Sequence, residues 1–457
     1  MNDLIQAKEL HLFKRLDTFL AFDVNDLHLF EVNEEAYALL REAAGKSARQ
    51  TVDALANRFD RDTLTDILGQ LMDAGLLGFA LPSPRPPDYE DEFGFKSVTL
   101  FVSQDCNLRC RYCLTLHDGN IVKKKMSKET ARKAVDLLFR EAGDRRDLSI
   151  GFFGGEPLLN VEAIKAAVDY AGQKAEETGK TITYTITTNG TLINDEMAAF
   201  FKKHKITVAL SVDGSREIHD ANRVFSNGQG SFAQVLKGIE TLKAHDNFIG
   251  AVAVVHDRRY RFKDVVLPII ESGVANVKIT TAIGKDGGIP IVDGDPDWYG
   301  GVYEELVQHL LKRELLFADP PPISFPQTFK ALESKKSPRT ACSGSYGQVM
   351  VGPDGRIFPC ENFIGRDAFC MGHVASGLDK SLQDSFRFQR ASNNEECREC
   401  WARNVCGGWC PYYSWINHGH LAQPVKSMCV VKRSYLEVAM AAYSQYKNFL
   451  RAQEQQA

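Results

Sequence analysis

The chain has 457 residues, so at roughly 100–200 residues per domain it should hold two to four domains. Its 55 Lys+Arg against 59 Asp+Glu leave a formal charge of −4, which offers no basic field for nucleic acid or for an anionic membrane surface. Hydrophobic residues at 44% and charged residues at 25% exclude global disorder. The longest apolar runs, such as Val98 to Val102 and Ala251 to Val255, are too short to span a bilayer. The opening MNDLIQAKEL lacks the basic-then-apolar pattern of a secretory signal. A cytoplasmic location is expected, where thiols stay reduced and the eleven cysteines point to metal rather than to disulfides.

Residues 1–81 read as a unit of their own: short β-type runs at His11 to Phe13, Phe19 to Val24 and Leu27 to Val32, then amphipathic helices, with Gly75 placed to stop the last one. Residues 82–95, rich in proline and acid, form a linker. From 96 to 320 strands alternate with helices. Strands are expected at Val98 to Val102, Leu148 to Phe153, Thr181 to Thr187, Thr207 to Val212, Gly250 to Val255 and Val277 to Ala282. Helices are expected at Lys128 to Glu141, with Ser127 as cap, at Val161 to Thr178 and at Phe232 to Ala244. Six such units make an α/β fold with parallel strands, a barrel or partial barrel whose chemistry sits after the strands' C-terminal ends. Residues 321–432 carry most of the cysteines, and 433–457 read as a closing helix with a polar tail.

Directly after the first strand, Cys106, Cys110 and Cys113 stand in a C-x3-C-x2-C spacing. So compact a loop can place three thiolates on three irons of one cluster and leave the fourth iron open. An open position is what distinguishes a catalytic metal centre. A partial zinc site is the alternative.

This motif, in this place, resembles the radical S-adenosylmethionine (SAM) superfamily. The resemblance implies a partial (β/α)6-type barrel and a [4Fe–4S] cluster held by the three cysteines. It also implies SAM on the open iron, cleaved to a 5′-deoxyadenosyl radical that takes a hydrogen atom from the substrate. Gly154, Gly155 and Glu156 match the family's GGE motif beside the SAM amine. By the same resemblance Ser211 should touch the SAM ribose, Arg223 its carboxylate and Tyr112 its adenine. Arginine suits a carboxylate because its planar fork gives paired charge-assisted bonds.

The later cysteines read Cys342, Cys360, then Cys397-x2-Cys400-x5-Cys406-x3-Cys410, then Cys429. On their own they also fit two zinc sites. Beside the first motif they resemble the SPASM domain of peptide-maturing radical SAM enzymes. That implies two auxiliary [4Fe–4S] clusters, hence three in all: a distal one on Cys397, Cys400, Cys406 and Cys429, and a proximal one on Cys342, Cys360 and Cys410. The position where some relatives supply a fourth proximal ligand is Lys336, and Cys370 is left over as a small buried hydrophobe. Glu361 stands where sulfatase maturases carry a catalytic aspartate, and so is a candidate base.

The N-terminal unit resembles the PqqD-like winged-helix element that binds a leader peptide as an added edge strand. The alternative is a structural cap on the barrel. Together these resemblances imply an oxidoreductase that matures a ribosomal precursor peptide or small protein subunit, fed by a donor such as flavodoxin or ferredoxin. The expected product is a thioether between a cysteine sulfur and an unactivated carbon. Carbon–carbon or carbon–oxygen crosslinking and formylglycine formation are the alternatives within the chemistry. A non-catalytic metal-bound peptide scaffold is the alternative outside it.

Overall fold

The structure is a computed structural model and describes residues 4–83, 88–89, 94–113, 123–281, 296–338, 340–344, 347–387 and 391–456. Most of the linker, and Ala282 of the sixth expected strand, lie outside the described residues.

The chain opens with β1 (Gln6–Ala7), β2 (Leu10–Arg15), β3 (Thr18–Asp23) and β4 (Leu29–Val32). Helices Glu34–Glu42, Ala48–Leu55 and Arg61–Asp73 follow, then β5 (Leu77–Gly78), which pairs antiparallel with β1. β2, β3 and β4 form an antiparallel meander. Leu16 and Asp17 turn the first hairpin with φ of 51° and 58°, the primed geometry that matches strand twist. Asn33, Ser47 and Asp60 cap the three helices through the amides of Ala36, Gln50 and Thr63. Gly75, at φ +67°, ends the third helix: Leu76 N donates to Leu71 O at 3.0 Å and Gly75 N to Met72 O at 2.9 Å.

Alternation along these strands sends side chains to two destinations. Leu10, Leu12, Ala21, Phe30 and Val32 pack with the unit's own helices. Phe13, Leu20, Phe22 and Leu29 face the other way and join the main core.

The main sheet holds β6 (Ser97–Ser103), β7 (Asp147–Gly154), β8 (Thr181–Thr188), β9 (Ile206–Ser211), β10 (Ile249–Val255) and β11 (Asn276–Thr281). These six lie parallel and in sequence order. Helices Lys128–Glu141, Val161–Thr178 and Phe232–Ala244 stand where the sequence places them, the first capped by Ser127. The sheet continues past β6 into β12 (Gln348–Val351), parallel to it, and β13 (Ile357–Phe358), antiparallel to β12. A short pair, β14 (Gly372–His373) and β15 (Gly377–Leu378), follows. The closing helix runs Lys426–Gln456 and so starts ahead of residue 433, which puts Cys429 in its first turn. Among the described residues no helix is long and apolar enough to cross a membrane.

Two glycines should respond oppositely to alanine. A Cβ at Gly238 would lie 2.5 Å from Gly190 O, so Gly238→Ala should lower stability by about 1–3 kcal/mol. Gly172 sits inside the Val161–Thr178 helix with nothing within 4 Å of its added Cβ, so Gly172→Ala should raise stability by about 0.5–1 kcal/mol. Thermal unfolding midpoints moving in opposite directions would bear this out, and a shared direction would refute it.

Candidate active site

β6, buried along most of its length, ends at Ser103 and delivers the cysteine loop to the C-terminal rim of the sheet. Backbone bonds fix that loop on two sides. Arg109 N donates to Val224 O at 2.7 Å and Arg111 N to Asn222 O at 3.0 Å, while Cys113 N closes a turn on Cys110 O at 3.1 Å. From β7, Gly155 N donates to Ser103 O at 2.8 Å and Glu156 N to Asp105 O at 2.9 Å. This approach needs both glycines: a Cβ on Gly155 would lie 2.5 Å from Asp105 O, and one on Gly154 would collide with Ser103 O.

Glu156 points inward. Its fully buried carboxylate accepts from Leu158 N at 2.9 Å, Thr188 Oγ1 at 2.6 Å and Asn189 N at 2.8 Å, tying the loop after β8 to the loop after β7. Burial pushes its pKa up to about 7 against those three donors. Asn189 continues the link, donating Nδ2 to Asn107 Oδ1 at 2.8 Å inside the cysteine loop.

Ser211 ends β9, and two residues on lies Asp213, fully buried. Its carboxylate takes Arg223 Nε at 2.9 Å and Nη2 at 3.1 Å, Val254 N at 2.9 Å and the Tyr112 hydroxyl. The Arg223 guanidinium lies 5.4 Å from the Tyr112 ring centroid. Burial presses the Asp213 carboxyl upward, but the Arg223 charge and the hydrogen bonds from Arg223 and Tyr112 hold it below the usual carboxylate range. Arg223 and Tyr112, expected beside the SAM carboxylate and adenine, therefore meet each other on this acid.

Behind them His219 is held from both sides. Its Nδ1 accepts from Asp213 N at 3.3 Å, and its Nε2 meets Ser231 Oγ at 2.9 Å, which donates on to Arg223 O at 2.8 Å. Burial, with the Arg223 charge adding to it, lowers the His219 pKa to about 4.

All eleven cysteines are free thiols and partly buried. Burial pushes Cys106 up to about 12, and Cys110 and Cys113 add to the shift. The later thiols fall into two sets by mutual influence. Cys360 is raised by burial, then by Glu361, Cys342 and Cys410; Cys410, at about 11, by burial, then by Cys342 and Glu361. Cys397, at about 12, is raised by burial, then by Cys429, Cys406 and Cys400. Glu361 is exposed beside the first set. Cys370 stands apart, its Sγ donating to Gly372 O at 3.4 Å. Lys336 is exposed.

Among the described residues no three His, Cys, Asp or Glu side chains gather tightly enough to hold a single metal ion. Thiolates on different irons of one cluster stand farther apart than the ligands of one ion. Buried thiols that raise one another favour positive charge among them, which a cluster's irons provide. Cys106 Sγ accepts from Leu108 N at 3.4 Å and Cys342 Sγ from Gly344 N at 3.3 Å. The three thiols on the loop after β6 therefore have the donor chemistry of an iron–sulfur cluster.

Residues 100–257 match the family profile described as the Radical SAM superfamily. This chain contains a radical SAM domain. It is accordingly an enzyme that uses SAM and a [4Fe–4S] cluster. It is 24% identical to the radical SAM cyclopropyl synthase TigE of Paramaledivibacter caminithermalis, over 93% of this chain and 94% of that one. It is 26% identical to a serine-type anaerobic sulfatase-maturating enzyme of Bacteroides thetaiotaomicron, over 68% and 81%. Its fold matches native anSMEcpe with bound AdoMet and Cp18Cys peptide at a TM-score of 0.64 and 23% identity, covering 78% of this chain and 99% of that one.

Sequence reasoning missed the part played by Asp213 and His219. An acid ten residues before an arginine is a common spacing, and a lone histidine carries no signal.

His219 gives this radical SAM chain a pH signature. Its folded-state pKa, near 4, lies below the ordinary 6.5, so its contribution to stability is present above pH 6.5 and lost as pH falls from 6.5 towards 4. His219→Asn should flatten the unfolding midpoint against pH across that interval, by up to one proton's worth of slope. An unchanged slope would show that His219 does not titrate this way.

Proposed function

We propose that the enzyme is a peptide maturase that installs an intrapeptide thioether, using residues 96–320 as its radical-generating barrel. Residues 321–432 then act as a SPASM-type domain with two auxiliary clusters, and residues 1–81 as a PqqD-like recognition element joined by the 82–95 linker. The carrying observation is the arrangement of thiols: three in a loop clamped between Asn222–Val224 and the Gly154–Glu156 turn, and two further sets downstream.

On this reading Cys106, Cys110 and Cys113 hold the SAM-cleaving cluster. Cys397, Cys400, Cys406 and Cys429 hold the distal one, and Cys342, Cys360 and Cys410 the proximal one. A cluster held there would supply the one-electron chemistry for cleaving SAM. The chain's own work is positional. Asp213 holds Arg223 and Tyr112, Glu156 locks the loops after β7 and β8, and the glycines let the β7 turn press against the cysteine loop. Ser211, at the end of β9, lies on the same rim for the SAM ribose. Glu361, exposed near the proximal thiols, is the base that would take a proton from the peptide on this reading. Electrons come from a flavodoxin- or ferredoxin-type donor. The relative that matures sulfatases and the fold-mate solved with a peptide both support a peptide substrate.

Formylglycine formation is the second reading, favoured by the sulfatase-maturating relative and by a carboxylate at Glu361. Mass spectrometry of a co-expressed candidate peptide separates the two. A thioether removes two hydrogens and blocks a thiol from alkylation, whereas formylglycine reacts with a hydrazine. Cys106→Ala, Cys110→Ala or Cys113→Ala should abolish 5′-deoxyadenosine release while about two thirds of the roughly twelve irons of three cubanes remain. Normal SAM cleavage by any of the three variants would refute the assignment of the first cluster.

A further inference from the structure

His256 is the first residue beyond β10, on the rim where the loops after β6 and β9 meet. Val254, two residues earlier, donates its amide to Asp213, and Val212 N donates to Val252 O at 3.2 Å, so the end of β10 is pinned to the Asp213 loop. The His256 ring lies 5.6 Å from the Tyr112 ring on one side and 5.8 Å from the Tyr260 ring on the other. Tyr112 in turn carries the Arg223 guanidinium near its ring. Three aromatic rings thus stand in series at the C-terminal rim of the sheet. Yet the His256 Nδ1 is buried with no hydrogen-bond partner among the described residues. Buried polar atoms are seldom left unbonded, because the lost hydration is not replaced.

We infer that the His256 side chain forms part of the wall that receives the adenosyl half of SAM, with Nδ1 reserved for a hydrogen bond to that nucleoside. The inference rests on the proposed SAM site on the cysteine loop and adds one side chain to it. A flat base complements the faces of flat rings, and an adenosyl group carries ring nitrogens, an amino group and hydroxyls that pair with imidazole in either tautomer. The methionyl half is aliphatic and charged and offers nothing flat to stack. Burial lowers the His256 pKa, which favours the neutral ring that such a bond needs. The charged groups that reach it, Asp213, Asp257, Arg111 and Arg259, are of both signs and do not reverse that direction.

The test is anaerobic equilibrium dialysis of the full-length, cluster-loaded protein with SAM, S-adenosylhomocysteine and methionine. His256→Ala should weaken the two adenosyl ligands about tenfold, the scale of one good hydrogen bond, and leave methionine unchanged. His256→Asn, whose amide can stand in for Nδ1, should restore most of that loss; His256→Gln, whose amide reaches the place of Nε2, should not. Iron content equal to wild type shows that each variant has folded around its clusters. Unchanged SAM affinity in His256→Ala, equal weakening of methionine, or rescue by glutamine and not asparagine overturns the assignment. A shift in peptide affinity with SAM unaffected does so too, and marks His256 as a substrate contact. If the wild-type protein itself bound no SAM, the reading beneath the inference would fall together with it.

Discussion

One carboxylate organises the rim of the sheet. Asp213, with no solvent exposure, ties together the end of β9 that carries it, the end of β10 through Val254, the cysteine loop through Tyr112, and the loop after β9 through Arg223. A bare buried carboxylate would cost several kcal/mol, and a buried guanidinium would cost as much again. Paired through two prongs and relieved by further donors, each makes the other's burial tolerable. The pair is accordingly a constraint more than a source of net stability. No one of these segments can shift without stranding a charge, so they keep a common geometry.

A second constraint comes from close backbone contact. The turn after β7 lies so near Ser103 and Asp105 that neither of its glycines has room for a side chain. Glu156 then carries the restraint to Thr188 and Asn189, and Asn189 returns it to Asn107. The cysteine loop is thus flanked by a chain of hydrogen bonds that leaves from Ser103, at the end of β6, and comes back to the loop at Asn107. Catalytic geometry of this kind costs less to maintain when rigid strands fix it than when long side chains must be ordered.

Much of this architecture was legible in the sequence because each signal was local. The parallel strands are short apolar runs, and the helices announce their starts with Ser127 and their faces with a 3.6-residue period. Cysteine spacing picked out the loop after β6, where Cys106, Cys110 and Cys113 stand close together. Contacts between distant segments were not legible. Tyr112 and Asp213 lie 101 residues apart, and nothing near either one names the other. The strand β12 has four residues, and its partner β6 lies far upstream, so nothing local marks it as part of the main sheet. Gly154 and Gly155 were matched to a motif beside the SAM amine; in the structure they give clearance to Ser103 and Asp105.

The N-terminal unit raises the same question at a larger scale. Read as a detached module, it should hide one sheet face and leave the other to solvent. It hides both. Phe13, Leu20 and Phe22 enter the main core, and polar contacts close the seam: the His11 ring stacks on Trp401 at 3.7 Å between centroids, Arg15 and His11 reach Glu437 at 2.8 and 3.0 Å, and Asn404 Nδ2 donates to Val24 O at 2.8 Å. Trp401 and Asn404 lie between Cys400 and Cys406, so a cysteine-bearing segment is also the floor on which the unit rests. A cap and a peptide-binding element are usually opposed as readings. In an antiparallel meander they use different surfaces, because faces pack and edges pair. With both faces committed, β4 still has a single strand partner, β3, among the described residues. A strand added there would extend a sheet whose far face already rests against the cysteine-bearing loop.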